Sequence, residues 1–240
     1  MNVFYVEKIV PYQPLILSPE ESKHLIRVLR KAKGDIVQVT NGRSEMYEAV
    51  INNDNYKTGC ELLLTAKLEN TKETYYSHIA ISPTKNLDRL EWFVEKATEL
   101  GVHQITPLIC ARTEKGNVKK DRLEKIALAA MKQSGRAWLP IISEAVEFDT
   151  FINTVQQEDQ KFVAYCEHLY EKKSPPHLSN QLKRGSRYTV LIGPEGDFTK
   201  EEVQQALQKG FENVSLGGNR LRTETAALYA CSCVYTCNKN

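Results

Sequence analysis

Hydrophobic and polar positions follow different patterns in the two parts of this chain. In the first 70 or so residues, short apolar runs occupy residues 36–40, 46–51 and 60–64. Asn41-Gly42, between the first two runs, is a strong signal for a hairpin turn. Short strands at such close spacing are typical of a small β-barrel.

One helix is predicted within this β-rich part, over residues 18–30. Ser18 can cap its first turn, and a proline follows at the first helical position. Leu25, Val28 and Leu29 recur at helical spacing and are predicted to form the buried stripe of this helix, while basic residues form another stripe.

The pattern changes at residues 68–74, a polar segment with no core-forming residue after its leucine. Beyond it, apolar runs alternate with amphipathic helices, which favours a parallel sheet covered by helices. Strands are predicted at residues 78–82, 104–109, 161–166, 188–192 and 213–216, and helices at residues 88–100, 121–132, 199–210 and 223–236. We therefore expect an α/β chain with two domains, at residues 1–70 and 75–240.

Three of these helices begin with residues that can cap them. Asp88 with Glu91 can cap the first, and Thr199 with Glu202 forms a capping box at the start of another. Thr223 opens the final helix. These local signals set the predicted helix starts.

The composition is that of an ordinary globular protein. Hydrophobic residues make up 41% and charged residues 26% of the 240 positions, close to the average. No apolar run approaches the ~20 residues that cross a bilayer, and no signal peptide is evident, so we expect a cytoplasmic protein. The six cysteines form no C-x-x-C pair and the five histidines show no metal-ligand spacing, so neither disulfides nor a metal site is predicted.

Basic residues are concentrated in two regions, although the net charge is only +2. Residues 18–43 hold six Lys/Arg against three acids, and residues 112–136 hold eight against three. Two such regions on a near-neutral chain fit a phosphate-binding surface. For either region alone, a solvated helix face is the simpler explanation.

Two loops follow predicted strands, where ligands bind in an open parallel sheet. Cys166-Glu167-His168 is uninformative alone. Ile192-Gly193-Pro194-Glu195-Gly196 predicts a tight loop whose exposed backbone groups can hold a purine or a ribose. In isolation, a plain strand-to-helix turn also explains it.

A third loop, Leu216-Gly217-Gly218-Asn219-Arg220-Leu221-Arg222-Thr223-Glu224-Thr225, again runs from a strand through glycines into a helix. Capping explains Thr223 and Glu224 but not Arg220 and Arg222. No Walker A, G-x-G-x-x-G, H-E-x-x-H or G-x-S-x-G pattern occurs, which excludes the common nucleotide and hydrolase classes.

Five motifs in this order resemble the RsmE family, the ribosomal small-subunit RNA uridine N3-methyltransferases of the knotted SPOUT class. They are His24-Leu25-Ile26-Arg27-Val28-Leu29-Arg30 with Gly34-Asp35; Lys85, Arg89, Glu91, Lys96 and Glu99-Leu100-Gly101-Val102; Gln133-Ser134-Gly135-Arg136; Ile192-Gly193-Pro194-Glu195-Gly196; and Arg220-Leu221-Arg222-Thr223-Glu224-Thr225-Ala226. Asp197 departs from the pattern, which has a third glycine there. Aspartate tolerates a positive φ better than most residues, although a more negative loop edge could alter cofactor affinity.

The resemblance implies a PUA-like β-barrel for RNA, followed by a trefoil-knotted SPOUT domain that binds S-adenosylmethionine. The residues expected to hold this cofactor are Cys166, Glu167, Ile192, Gly193, Pro194, Glu195, Gly196, Leu216, Gly217, Asn219, Leu221, Arg222 and Thr223. It also implies a homodimer. Small residues on the final helix suit such an interface, although an ordinary buried helix explains them equally.

The implied reaction is methylation of N3 of a uracil in 16S rRNA of the small ribosomal subunit. N3 is a poor nucleophile until its proton leaves, so a base or an anion-stabilising cation is required. Arg222 is the candidate for stabilising the anion, and Glu195 or Glu224 for accepting the proton. The residues expected to contact RNA are His24, Arg27, Arg30, Lys85, Arg112 and Arg136.

The sequence leaves two alternative classes of function. A ribosome-assembly factor without catalysis would carry the same basic regions, but both glycine loops and Arg222 argue against it. A small-molecule enzyme that uses a nucleotide is disfavoured by the missing phosphate-loop signatures and by the additional β domain.

Overall fold

The chain forms two sheets, one in each of two units. The structure, a computed structural model, describes residues 3–10, 13–68, 73–155, 160–166 and 175–239. The first unit comprises Met1–Lys72 and Ala129–Leu139, and the second comprises Glu73–Leu128 and Pro140–Asn240. The predicted division of the chain at residues 70–75 stays a prediction, and the sequence pattern contains no sign that Ala129–Leu139 belongs to the first unit.

Within the part of the chain that the structure describes, the sheet of the first unit has five strands in the order β1-β3-β4-β5-β2. They are β1 (Val3–Tyr5), β2 (Leu15–Ile16), β3 (Ile36–Thr40), β4 (Met46–Asn53) and β5 (Glu61–Leu68). β1 and β3 are parallel and the other pairs are antiparallel. Leu25 and alternate residues of the strands, such as Val37 and Val39, pack into one buried cluster, as period-two alternation requires.

The predicted helix over residues 18–30 forms but changes type midway. Helix α1 (Pro19–Lys23) begins at Ser18, whose side chain accepts a hydrogen bond from the Glu21 N–H, and a π-helix (His24–Val28) continues it. The wider π turn, with bonds between residues i and i+5, alters the side-chain spacing. Leu25 is buried, but Val28 is 63% exposed, so the prediction that Val28 is buried was wrong.

The predicted hairpin joins β3 to β4 through residues 41–45, a longer connection than a two-residue turn. Ser44 donates its N–H to the Ala137 carbonyl at 2.9 Å, and Leu139 donates its N–H to the Gly42 carbonyl at 2.9 Å. A Cβ on Gly42 would lie 2.9 Å from the Leu139 Cβ, so this close approach requires glycine. These bonds hold residues 137–139 in the first unit.

Among the described residues, the second unit has seven strands that all run parallel, as predicted. They are β6 (Tyr76–Ile81), β7 (Gln104–Ile109), β8 (Ile141–Ile142), β9 (Val146–Glu147), β10 (Gln160–Ala164), β11 (Arg187–Ile192) and β12 (Glu212–Val214), in the order β12-β10-β11-β6-β7-β8, with β9 also paired to β7. The helices are α2 (Leu87–Leu100), α4 (Phe148–Thr154), α5 (Lys200–Gln208) and α6 (Thr223–Lys239), together with α3 (Lys120–Ser134), whose residues from Ala129 onward belong to the first unit. Strands β8 and β9 and helix α4 were not predicted.

The observed helix starts confirm one predicted cap and correct another. The Thr199–Glu202 capping box is present as predicted. At α2 the cap is Asn86, whose side chain accepts the Asp88 N–H, so the assignment of the cap to Asp88 was wrong. Among the described residues, no helix is long and apolar enough to span a membrane.

Candidate active site

The carboxyl ends of β12, β10, β11 and β6 meet at one edge of the parallel sheet, because these strands are consecutive neighbours. A cavity of about 350 Å³ opens there, a volume in the range of small-molecule sites. Its wall is formed by Arg89, Ala164, Cys166, Ile192, Gly193, Pro194, Glu195, Asp197, Arg220, Leu221, Arg222, Thr223 and Ala226. The three predicted loops therefore meet at a single cavity.

The glycine loop after β11 forms one wall of this cavity. A Cβ on Gly193 would lie 3.1 Å from both the amide nitrogen and the ring of Phe198, so the loop returns too closely for a larger residue. Glu195 Oε1 accepts the Lys85 N–H at 2.9 Å, and the Glu195 carbonyl accepts a hydrogen bond from Arg220 Nη2 at 3.2 Å. The Glu195 side chain is thus held half-buried on the wall.

Arg112 supports the glycine loop through two hydrogen bonds. Its Nη1 donates to the Gly196 carbonyl at 2.7 Å and to the Phe198 carbonyl at 3.3 Å. Gly196 is outside the described lining of the cavity and instead packs against the Arg112 side chain, 3.3 Å from the position of a Cβ. Because its guanidinium already supports the loop, Arg112 has a role that sequence reasoning missed, and its predicted RNA contact stays a prediction.

Asp197 joins two of the loops. It has φ +64°, as expected for a position that is usually glycine. Oδ2 accepts the Cys166 N–H at 2.9 Å, and Oδ1 accepts the Phe198 N–H at 2.8 Å. Burial raises the pKa of this carboxyl, and the two backbone donors together with Arg220 and Arg112 oppose the rise.

The loop after β12 extends the cavity. Leu216, Gly217, Asn219 and Leu221 line a smaller, mostly apolar recess of about 30 Å³, which shares Leu221 and other lining residues with the main cavity. Gly217 has φ +119°, a conformation that residues with a side chain rarely adopt. Four of the six residues of this loop that are expected to hold the cofactor therefore line one recess, and Arg222 and Thr223 line the main cavity beside it.

The three predicted catalytic residues occupy different environments. Arg222 is exposed and lines the cavity, whereas Glu224 is buried at the start of α6 and is not among the described lining residues. Glu224 Oε1 lies 3.9 Å from Arg89 Nε, and Oε2 is buried with no hydrogen-bond partner among the described residues. Glu195 and Arg222 share the cavity wall, and Glu224 reaches it through Arg89.

The other residues expected to contact RNA are distributed over both units. In the first unit, His24, Arg27, Arg30 and Arg136 are exposed or half-buried, and Arg27 Nη2 donates to Tyr56 Oη at 2.6 Å while its guanidinium lies 4.9 Å from the ring centre. In the second unit, Lys85 Nζ forms an exposed ion pair with Glu114 at 2.9 Å.

Two expected cofactor-loop residues, Glu167 and His168, lie outside the described residues. Sequence reasoning missed the wall positions of Arg89, Ala164, Asp197, Arg220 and Ala226. Arg89 lies in the first turn of the helix after β6, so its position just beyond a strand end is a signal that could have identified it.

A second cavity, also of about 350 Å³, lies beside His78, Gln104 and Arg187. Gln104 and Arg187 are the first residues of their strands, so this cavity is toward the opposite sheet edge from the loops. Burial lowers the pKa of His78 to about 4, with Arg187 contributing, so the imidazole is neutral near pH 7. The loop-lined cavity is the better candidate because parallel sheets bind ligands at their carboxyl edge.

Comparisons with protein families match both units. The RNA methyltransferase domain family matches residues 71–235, and the RNA methyltransferase PUA domain family matches residues 17–58. The ribosomal RNA small subunit methyltransferase E of Bacillus subtilis is 30% identical over 236 residues, which cover 91% of this chain and 88% of that protein.

Two solved structures are also similar to this chain over nearly its whole length. The crystal structure of a probable rRNA-methyltransferase from Porphyromonas gingivalis is 36% identical with a TM-score of 0.90, over 99% of this chain and 98% of that one. A ribosomal RNA small subunit methyltransferase E from Neisseria gonorrhoeae bound to S-adenosyl methionine is 25% identical with a TM-score of 0.87, over the same shares of the two chains.

Proposed function

Since the chain belongs to the RNA methyltransferase family, and within it to the ribosomal RNA small subunit methyltransferase E (RsmE) family, we propose that it methylates N3 of a uridine in 16S rRNA. The resemblance inferred from the five motifs is confirmed at the level of the family, and the predicted fold class, a SPOUT-type α/β domain preceded by a PUA-like β domain, is confirmed with it. The observation that carries the proposal is the single cavity with Arg222 and Glu195 on its wall.

The residues of this cavity fit S-adenosylmethionine. The wall combines backbone groups of the glycine loop with an apolar recess at Leu216 and Leu221, which suits a molecule with both polar groups and an aromatic base. When bound, the cofactor supplies a methyl group on a sulfonium, which becomes a neutral thioether after the methyl moves to nitrogen. Residues 192–195 and 216–223 would hold it.

The uracil must lose its N3 proton, and this chain offers groups on the cavity wall for that step. We assign to the Arg222 guanidinium, which lies on the wall, the stabilisation of the negative charge that develops on the uracil oxygens. Glu195 is the candidate proton acceptor, because its carboxylate lies on the wall and Lys85 fixes one of its oxygens. Glu224 was the alternative acceptor; it is buried and lies 3.9 Å from Arg89 Nε, which favours a role in holding that guanidinium.

Basic residues of the first unit are proposed to bind RNA phosphates. His24, Arg27 and Arg30 are exposed on one helix and its end, and the Arg27–Tyr56 pair adds an aromatic face. Phosphate contacts release counterions, so binding to 16S rRNA is expected to weaken steeply as salt rises. A filter-binding titration at several salt concentrations measures this dependence.

A homodimer is also proposed. Helices α2 and α6 pack against each other, and each exposes a large ring, Trp92 at 43% and Tyr229 at 39%. Sedimentation equilibrium is expected to give twice the 27.3 kDa mass of one chain, and Trp92→Glu is expected to shift the protein toward monomer. A monomeric mass for the unaltered protein would refute the dimer.

The decisive experiment is methyl transfer from labelled S-adenosylmethionine to small ribosomal subunits from cells that lack this protein. Mass spectrometry of the nucleosides is expected to show 3-methyluridine in 16S rRNA. Subunits from cells that contain the protein are the control and are expected to accept little label. A different methylated nucleoside would contradict the assignment to N3.

Arg222→Ala tests the role of the guanidinium. Loss of one such stabilising group typically lowers turnover by about 10²–10³-fold, whereas cofactor binding should weaken far less, because the other residues of 192–195 and 216–223 remain. Arg184→Ala is the matched control, because Arg184 is exposed and is not among the described lining residues. Wild-type turnover in Arg222→Ala would remove Arg222 from the mechanism.

A further inference from the structure

Asp197 is the one position in the glycine-loop motif where this chain departs from the RsmE pattern. The left-handed backbone there, with φ +64°, would suit the usual glycine equally well. The aspartate adds a carboxylate to the wall of the cavity. The side chain therefore adds a charged group to the wall at a position whose backbone conformation glycine also adopts.

This carboxylate connects the loop after β10 to the loop after β11. It accepts the Cys166 N–H at 2.9 Å and the Phe198 N–H at 2.8 Å, so neither donor is left for a ligand. A carboxylate can accept about four hydrogen bonds, and these two leave acceptor capacity. Because Asp197 and Cys166 both line the cavity, the bond between them sets the spacing of two walls.

The Asp197 carboxylate matters for ligand binding because most of the charged side chains on the cavity wall are positive. Arg89, Arg220 and Arg222 contribute three positive charges to the lining, against Glu195 and Asp197. A cavity lined by three arginines alone would disfavour a cationic ligand. The carboxylates offset that repulsion, and without Asp197 only Glu195 would remain among the described lining residues.

We propose that Asp197 is a specificity-determining residue that favours cationic S-adenosylmethionine over its neutral product S-adenosylhomocysteine and that fixes Cys166 against the glycine loop. The inference rests on the proposed function, since it concerns the same cavity. At an effective dielectric constant of about 20, unit charges roughly 10 Å apart change a dissociation constant by on the order of tenfold. A cavity of about 350 Å³ keeps a bound sulfonium within that distance of its wall.

The test compares the dissociation constants of both ligands by isothermal titration calorimetry. Asp197→Asn removes the charge, keeps an oxygen for the Cys166 N–H and loses the acceptor for the Phe198 N–H, and asparagine tolerates a positive φ. We expect the binding of S-adenosylmethionine to weaken by on the order of tenfold relative to the binding of S-adenosylhomocysteine, because the lost backbone bond affects both ligands alike. Glu201→Gln, an exposed change of equal charge on α5, should alter neither affinity.

Asp197→Gly restores the usual residue and removes both the charge and the link to Cys166. It should weaken the binding of both ligands, and that of S-adenosylmethionine more than that of S-adenosylhomocysteine. The ratio of the two dissociation constants can therefore be measured with this variant if the asparagine variant does not fold. An unchanged ratio of the two dissociation constants in the folded variants would overturn the inference. Failure of the unaltered protein to bind either ligand would instead overturn the proposed function.

Discussion

Replacing Glu202 with glutamine is expected to destabilise the protein by about 3 kcal/mol. The Glu202 carboxylate is buried at the start of α5, where Oε1 accepts the Ala111 N–H at 2.8 Å and Oε2 accepts the Thr199 N–H at 2.8 Å. Glutamine keeps one acceptor and places an NH₂ group against the other N–H. One charge-assisted hydrogen bond is lost, which costs about 1.5–3 kcal/mol, and the remaining bond weakens to a neutral one.

Urea unfolding measures this difference in the free energy of unfolding. A loss of about 3 kcal/mol would lower the melting temperature by roughly 6–12 °C for a protein of this size. Glu201→Gln is the matched control, since the neighbouring Glu201 is exposed and its change should stay within about 0.5 kcal/mol. If Glu202→Gln were as stable as Glu201→Gln, the two backbone bonds would not stabilise the fold as argued.

Three further predictions concern other parts of the second unit. Burial alone would raise the pKa of Glu73, but hydrogen bonds from His103 and Lys239 lower it to about 2. Its contribution to stability is therefore complete above about pH 4.5 and is lost as the pH falls toward 2, and Glu73→Gln should flatten acid unfolding curves in that range. Tyr188→Phe should cost about 1–3 kcal/mol in urea unfolding, because the buried hydroxyl donates to the Lys183 carbonyl at 2.6 Å and accepts from Asn238 at 3.1 Å; an unchanged midpoint would contradict this. Gly193→Ala should weaken cofactor binding and stability together, because its Cβ would lie 3.1 Å from the Phe198 amide nitrogen. Gly116→Ala, whose Cβ would lie 3.5 Å from Ile109 Cδ1, is the tolerated control in calorimetry.

Elements whose signals are local were predictable from the sequence. The Thr199–Glu202 capping box lies within four consecutive residues, and the structure contains it. The parallel sheet followed from the alternation of apolar runs and amphipathic helices. The catalytic assignments stay predictions, although the structure brings Glu195 and Arg222 to the same wall.

Other features depend on contacts between distant residues, which no local pattern encodes. Val28 is exposed because the helix changes to π geometry partway along. In the sequence, Arg112 does not differ from the other cations of its basic region, yet it supports a loop 84 residues away. Strands β2 and β8, of two residues each, are too short to produce a recognisable alternation.

The order of strands in the parallel sheet also determines when each strand can pair with its neighbours during translation. In β6, Tyr76 pairs with Arg187 of β11, which follows it by 111 positions (187 − 76). At translation rates of about 5–20 residues per second, β6 waits roughly 6–22 s for this neighbour. Until then one of its edges is unpaired, and unpaired edges invite association with other chains. Because the cavity wall extends to Ala226, elongation at least to that residue, rather than the speed of strand pairing, sets the earliest moment at which the cavity can form.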